Sequence, residues 1–500
     1  MKSLLRAVVL LVILISLSAC KNLLKEANIS KDDFFNEFDK KVSYLMKQYG
    51  VPGTSVLIIH NGEIVFKKGY GYANVKEKIP VNEKTVFRIA SISKPVAALG
   101  IMKIVEEGKL KLDTPIEKYL KRWHIPPSKF NSDGVTVRRL LSHTSGLNIE
   151  GYPLYEPGKH LPSIEQSISG AAGKQWRVSL QYEPGITFYY SSGGYAVLQL
   201  LVEEITGEKF ESYMKKEVFD PLGLKNTGYD SSVWTKTTFA TGYTGTGKAI
   251  KERNFVDFAG AGLMTTSEDL GKIVLFCMDE KNGNSILKQE TLNMMFTPSP
   301  NAKNMFGDYG LGFSIQGLSN EEKMISHSGD IVGWNAQMAF MPKRNNAIII
   351  LTNSDAGYYF KSDLLGVWSM WSAGGINNDT KFLNNMKRII VTIVFVLLLL
   401  LIIFITNTYL QVRKGKRKIS LKFRGRKWNG WIFPMFSALC IVGWFFICYS
   451  QIPFKVVYGL EDYELYTFFS PQFLWITVMI VLFGLYFISK SIFTEKVKLN

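Results

Sequence analysis

Cysteine and histidine are scarce, with four and five among 500 residues. Cys20 stands near the N-terminus, Cys277 is alone in mid-chain, and Cys440 and Cys448 fall inside an apolar run, so no disulfide framework is available and the core must hold by packing. No grouping of His, Cys, Asp and Glu has metal-ligand spacing, and no glycine-rich phosphate loop occurs, so neither a metal nor a nucleotide cofactor is expected. Internal repeats and low-complexity tracts are missing too. What is present is 47% hydrophobic and 13% aromatic, which excludes disorder as the main state, in a chain too long for one small domain.

The formal charge of +17 is unevenly placed: +10 lies from Arg388 onward and +2 in the first 20 residues, leaving +5 for residues 21–387. That remainder is ordinary for a soluble domain and gives no reason to expect nucleic acid. Lys2 and Arg6 precede an apolar run, Ala7 to Ile15, that reaches roughly 14 Å as a helix against the ~30 Å of a bilayer core. Residues 1–20 therefore read as a secretory signal. Its end, Leu17-Ser18-Ala19-Cys20, resembles the lipobox of bacterial lipoproteins, which implies acylation of Cys20; ordinary cleavage beside small residues is the alternative. Three uncharged stretches, Ile389–Thr406, Gly430–Tyr449 and Phe473–Ser489, read as membrane spans, so residues 389–490 form a three-helix anchor. Between the first two, the loop 411–428 carries Arg413, Lys414, Lys416, Arg417, Lys418, Lys422, Arg424, Arg426 and Lys427 with no acid, while Glu461, Asp462 and Glu464 lie between the second and third. An excess of positive charge marks the cytoplasmic side, which places the preceding domain on the extracytoplasmic face of the cell membrane, as the signal also does. The three spans hold no interior charge, so anchoring is expected rather than transport.

Residues 29–375 read as one α+β domain and 376–388 as its linker to the membrane. Phe34, Phe35, Phe38, Val42, Leu45, Met46 and Tyr49 recur at helical spacing. Thr54–Ile59 and Glu63–Lys68 read as strands joined across Asn61-Gly62, residues that tolerate the positive φ of a tight hairpin. A helix is expected from Ser91 to Glu107, closed by Gly108, and another from Tyr195 to Thr206, closed by Gly207. Asn335–Met341 and Ala347–Thr352 form a late hairpin, and Tyr359–Trp371 a helix. Strands at both ends with helices between suggest a sheet that pairs N- and C-terminal strands.

A hydroxyl is a weak nucleophile until a base stands beside it, and positions i and i+3 share a helix face, so Ser-x-x-Lys can bring an amine to an alcohol. The pattern occurs four times, beginning at Ser18, Ser91, Ser212 and Ser285. Ser18 lies in the signal, Ser212 in an ordinary amphipathic segment and Ser285 in a polar stretch. Ser91 differs: Pro95 sits just inside the helix that follows, which puts the serine at a helix N-terminus where developing negative charge is favoured.

From about Ile29 to Trp371 the chain resembles the serine β-lactamase and penicillin-binding-protein-like hydrolases of the class C type. The resemblance rests on five motifs in the family's order: Phe87-Arg88-Ile89-Ala90-Ser91-Ile92-Ser93-Lys94; Leu140-Leu141-Ser142-His143-Thr144-Ser145-Gly146-Leu147; Pro184-Gly185 followed by Tyr190-Ser191-Ser192-Gly193-Gly194-Tyr195; Ala259-Gly260-Ala261-Gly262-Leu263; and His327-Ser328-Gly329. It implies an antiparallel sheet flanked by helices with a helical subdomain, the site lying between them. It further implies that Ser91 is the acylated nucleophile, that Lys94 helps deprotonate it, that Tyr190 is a second proton-transfer group, and that the N–H groups of Ser91 and Asp330 form the oxyanion hole. Ser192, Ser328 and Gly329 would line the substrate, and His327 would act at the site. Either Lys94 is the base, its pKa lowered from ~10.4 to about 7, or it stays charged and lowers that of Tyr190.

Two positions depart from the family pattern. Its Tyr-x-Asn appears as Tyr190-Ser191-Ser192, and its Lys-Thr-Gly as His327-Ser328-Gly329, where a permanent cation is replaced by a side chain mostly neutral at pH 7. The expectation shifts toward family members that act on cell-wall peptides or D-amino-acid amides and esters, ahead of a β-lactamase or a penicillin-binding D-alanyl-D-alanine carboxypeptidase that takes β-lactam-like small molecules. A third reading is a catalytically silent sensor or scaffold signalling through the spans. His143 reads as a residue of a helix end, with Gly146 relaxing the turn, since a Ser-His-Asp triad lacks its Gly-x-Ser-x-Gly elbow. Cys277 reads as a buried small apolar residue.

Overall fold

The computed structural model describes residues 31–149, 151, 153–230, 238–279, 286–419, 429–449, 473–490 and 493–495. The signal segment with Ser18 and Cys20, Ser285, Lys422 to Lys427, and the acidic Glu461, Asp462 and Glu464 lie outside the described residues. The chain divides into two compact units, Glu26–Thr380 on the one hand and Met1–Lys25 with Lys381–Asn500 on the other.

In the first unit, helix α1 (Lys31–Tyr49) leads into strands β1 (Gly53–His60), β2 (Glu63–Asn74), β3 (Ile79–Pro80) and β4 (Phe87–Arg88). A 3₁₀ turn, Ala90–Ile92, passes into α2 (Ser93–Glu106); α3 (Val137–Leu141) and α4 (Ser192–Thr206) follow. Next come β5 (Met264–Thr265), α5 (Ser267–Met278), β6 (Asp308–Tyr309), β7 (Ser314–Gly317), β8 (Lys323–Ile331), β9 (Trp334–Met341), β10 (Asn346–Thr352) and α6 (Gly357–Ala373). The main sheet is antiparallel in the order β3-β2-β1-β10-β9-β8-β7-β6, so the first and last strands pair at its centre, Leu57 opposite Ile349. The Asn61-Gly62 turn has the positive φ its residues allow, 53° and 81°.

β1 and β10 are buried almost without a break and carry apolar residues in succession, Val56–Ile59 and Ala347–Leu351, rather than in alternation, which is what a strand covered on both faces requires. One cover is α5, whose Gly271 lets the helix approach Leu57 and Ile349. The other is α1 with α6: Phe34 stacks on Trp371 at 4.0 Å, and Phe38 meets Phe66, which pairs with Ile58 and so shares the face opposite to Leu57. The segment between α2 and β5, including α3 and α4, supplies the helical region beside the sheet.

In the second unit, α7 (Asn378–Arg413) is, among the described residues, the one helix long and apolar enough to cross a membrane, 36 residues or roughly 54 Å. Its first turns are the stretch expected as a linker. No glycine or proline interrupts the chain from Asn378 until Gly415, so the helix begins at once. Two further apolar segments are helical, α8 (Asn429–Tyr449) and α9 (Phe473–Lys490), with shorter apolar cores Met435–Phe446 and Leu474–Ile488.

Candidate active site

Ala90, immediately before Ser91, has φ +45°, a conformation that costs a non-glycine residue on the order of 1–3 kcal/mol and persists only when its surroundings enforce it. The enforcement is visible. Ser93 donates to the Ala90 carbonyl at 2.6 Å and accepts from Leu263 N–H at 3.0 Å, while Ile89 N–H donates to Leu263 O. The Ala259-Gly260-Ala261-Gly262-Leu263 segment thus clamps the turn from which Ser91 projects.

Lys94 is fully buried, and its Nζ lies 3.2 Å from Ser91 Oγ and 2.9 Å from Gly260 O. It also stands 4.8 Å from the centroid of the Tyr190 ring and 5.5 Å from that of Tyr195. Burial pushes its ammonium well below the ordinary lysine range, opposed by the carboxylate of Asp257. Asp257 is itself buried and pushed up for the same reason; it accepts from Gly260 N–H at 2.8 Å. Tyr190 is hydrogen-bonded to Ser91, and its low-dielectric surroundings push its hydroxyl upward, so it is held as the phenol.

β8 brings the last motif to this turn. A Cβ on Gly329 would stand 1.9 Å from Ile89 O and 3.3 Å from Ser91 N, so only glycine lets the strand run against the serine's backbone. The residue after it, Asp330, pairs with Asn335 on β9 and accepts a hydrogen bond from Lys361 of α6. Lys361 is 3% exposed and also reaches Gly329 O at 3.5 Å and Ala336 O at 3.3 Å.

Two further expected site residues have their surroundings defined. Ser192, expected to line the substrate, is fully buried because α4 begins there, and its N–H is taken by Ile149 O. His327, expected to act at the site, has both ring nitrogens engaged: Nδ1 donates to its neighbour's carbonyl, Ser328 O, at 2.7 Å, and Nε2 accepts from Tyr309 OH at 2.8 Å. Burial, with Lys94 nearby, pushes its pKa down to about 3, so it is a neutral, oriented ring rather than a cation. Ser328 is exposed, alternating along β8 with the buried His327 and Gly329.

Sequence reading missed Asp257, Tyr309 and Lys361. Asp257 sits two residues before a quoted motif, and Lys361 is a lone cation in an apolar helical run; either was a usable signal. Tyr309, on a two-residue strand, had none.

An antiparallel sheet covered by helices, with a serine, an amine and a phenol joined by hydrogen bonds beside it, defines the penicillin-binding-protein-like α+β fold. The chain belongs to the Beta-lactamase family, whose profile matches residues 38–365. It is 27% identical over 340 residues to Protein flp of Staphylococcus aureus (strain MW2), covering 65% of this chain and 64% of that relative, so the match spans less than two thirds of the relative's length. It is 30% identical over 321 residues to a putative penicillin-binding protein, PbpX, of Bacillus subtilis (strain 168), covering 63% of this chain and 74% of the other. The octameric penicillin-binding protein homologue from Pyrococcus abyssi superposes with a TM-score of 0.55 at 28% identity, covering 67% of this chain and 76% of that one.

Proposed function

We propose that this chain is a membrane-anchored serine hydrolase on the outer face of a bacterial cell, cleaving amide or ester bonds near D-amino acids of the cell wall through an acyl-enzyme. The observation that carries the reading is the position of one hydroxyl, Ser91 Oγ, between a buried amine at 3.2 Å and the phenol of Tyr190. Lys94, its charge disfavoured by burial, takes the proton as Ser91 Oγ attacks the carbonyl carbon. Tyr190 gives its proton to the departing alcohol or amine as that bond breaks and is reprotonated from Lys94. Water then adds to the acyl-enzyme, its proton returning through the same groups, and releases the acid with Ser91 restored. The N–H groups of Ser91 and Asp330 hold the oxyanion, an arrangement supported by the approach of Gly329 to Ser91 N. Gly329 and Ser328 border the substrate on the β8 side, and His327, neutral and fixed through Tyr309, fills the place of a cation in the family's pattern, which disfavours tight binding of a substrate carboxylate there.

The anchoring half of the proposal rests on α7 and on the apolar helices α8 and α9, read as three spans with the basic loop in the cytoplasm, and on the signal-like residues 1–20 with Cys20 as a lipidation site. Incubation of the detergent-solubilised full chain with a fluorescent penicillin and with a D-alanyl ester, wild type beside Ser91→Ala, tests the whole. Ester turnover lost in the variant, without lasting penicillin label, supports the hydrolase; a lasting penicillin label lost in the variant favours a penicillin-binding carboxypeptidase, and penicillin hydrolysis lost in the variant a β-lactamase. No reaction in either protein favours a silent sensor.

A further inference from the structure

His143 is buried, and the mechanism above does not use it, yet both backbone N–H groups that flank Tyr190 end on it. Tyr189 N–H donates to the His143 carbonyl at 2.8 Å, and Ser191 N–H donates to His143 Nδ1 at 3.1 Å. The Tyr190 ring lies 4.2 Å from the imidazole, centroid to centroid, and the rings of Tyr195 and Tyr309 follow at 5.3 Å and 4.9 Å. Because Nδ1 accepts, the ring proton is on Nε2, which is buried and has no hydrogen-bond partner among the described residues. Leaving a buried N–H without a partner costs about 1–3 kcal/mol, so a residue that only filled space here would be better apolar. The backbone narrows the choice further. His143 has φ +58°, a region that His, Asn and Asp enter more readily than other side chains.

We infer that His143 is the positioning residue of Tyr190: one residue, held in a left-handed conformation, grips the chain on both sides of the phenol and packs against its ring, fixing where its hydroxyl meets Ser91. The inference rests on the acyl-enzyme reading and assigns the sequence's helix-end histidine to the proton-transfer step. Burial, with Lys94 and His327 near, keeps the imidazole neutral, as an acceptor at Nδ1 requires.

Leaving-group dependence tests it. A nitrophenolate departs without help, whereas an alkoxide needs the proton that Tyr190 supplies, so misplacing the phenol should penalise only the poorer leaving group. For the full chain in detergent, kcat/KM is measured on p-nitrophenyl, phenyl and ethyl butyrate, which share one acyl group. His143→Gly keeps the backbone conformation and removes ring and acceptor; it should lose ~100-fold or more on the ethyl ester and less than ~5-fold on the nitrophenyl ester, the size expected of a displaced general acid. Tyr190→Phe should show the same pattern, and the double variant should be no worse than Tyr190→Phe alone. His143→Asn, whose Oδ1 can take the Ser191 N–H and whose backbone tolerates φ +58°, should recover the ethyl ester to within roughly fivefold of wild type. If the glycine variant does not fold, His143→Ala, which removes ring and acceptor and is a side chain this fold already holds at positive φ at Ala90, takes its place. A uniform loss across the three esters, an additive double variant, or no recovery by Asn overturns the inference while the hydrolase reading stands. A wild type inert on all three overturns both.

Discussion

In the proposed mechanism Lys94 takes a proton only while it is neutral, and the groups around it set the pH at which that holds. Burial lowers its pKa and the Asp257 carboxylate raises it, so kcat/KM should fall on acidification with a midpoint well below the ~10.4 of a free lysine. Asp257→Asn keeps an acceptor for Gly260 N–H and removes the negative charge. The acid limb should then move to lower pH, measured with a p-nitrophenyl ester across pH 5–10; a shift to higher pH would show that Asp257 acts in another way. That Ser91, Lys94 and Tyr190 stand together was legible in the sequence because the first two meet within one turn and the third sits in a motif. The charge state of the amine was not, since a pKa depends on how much protein surrounds it. Nor was the bond from Ser191 N–H to His143, which joins positions 48 apart in the chain. The two serines that follow the phenol illustrate the same limit: the helix start gives Ser191 the capping role and buries Ser192, and neither was legible from the pattern.

Among the elements, β8 depends on one missing methyl group. Gly329→Ala would place a carbon 1.9 Å from Ile89 O, so either the strand leaves the serine turn or Ala90 leaves its strained conformation. The variant should lose ~100-fold or more in kcat/KM, as expected when an oxyanion donor is displaced, and unfold at lower denaturant by about 1–3 kcal/mol. A variant with native activity would remove Gly329 from the argument. Long elements were read correctly because their patterns are long: α1, the β1–β2 hairpin at Asn61-Gly62 and the β9–β10 hairpin all carry enough residues for periodicity or turn chemistry to speak. The helix expected from Ser91 instead begins at Ser93 after a 3₁₀ turn, because clamping by Ser93 and Leu263 overrides local preference. Strands such as β3, β5 and β6 are two residues long, too short for any alternation to register.

For the molecule as a whole, buried neutral imidazoles link stability to pH. His327 is pushed down to about 3, so between that value and the ordinary ~6.5 the unfolded chain binds a proton that the folded one does not. Its contribution is complete above ~6.5 and declines as pH falls, by about 1.4 kcal/mol between pH 7.5 and 5.5. Asp257, pushed up by burial, works in the opposite sense, so the informative quantity is a difference: wild type should lose more unfolding free energy over that interval than His327→Gln. Equal losses would contradict a buried neutral ring. The sequence foretold the overall plan, an α+β domain followed by apolar helices, because hydropathy is a property of long stretches; it did not foretell that α7 already begins at Asn378. The central pairing of β1 with β10 carries one more consequence. Thr54 donates to Leu351 O across 297 positions of sequence, so the middle of the sheet cannot close until nearly all of the domain has been synthesised. At ~5–20 residues per second that is a wait of roughly 15–60 s, during which the nascent chain holds its reactive alcohol on a segment with no platform beneath it.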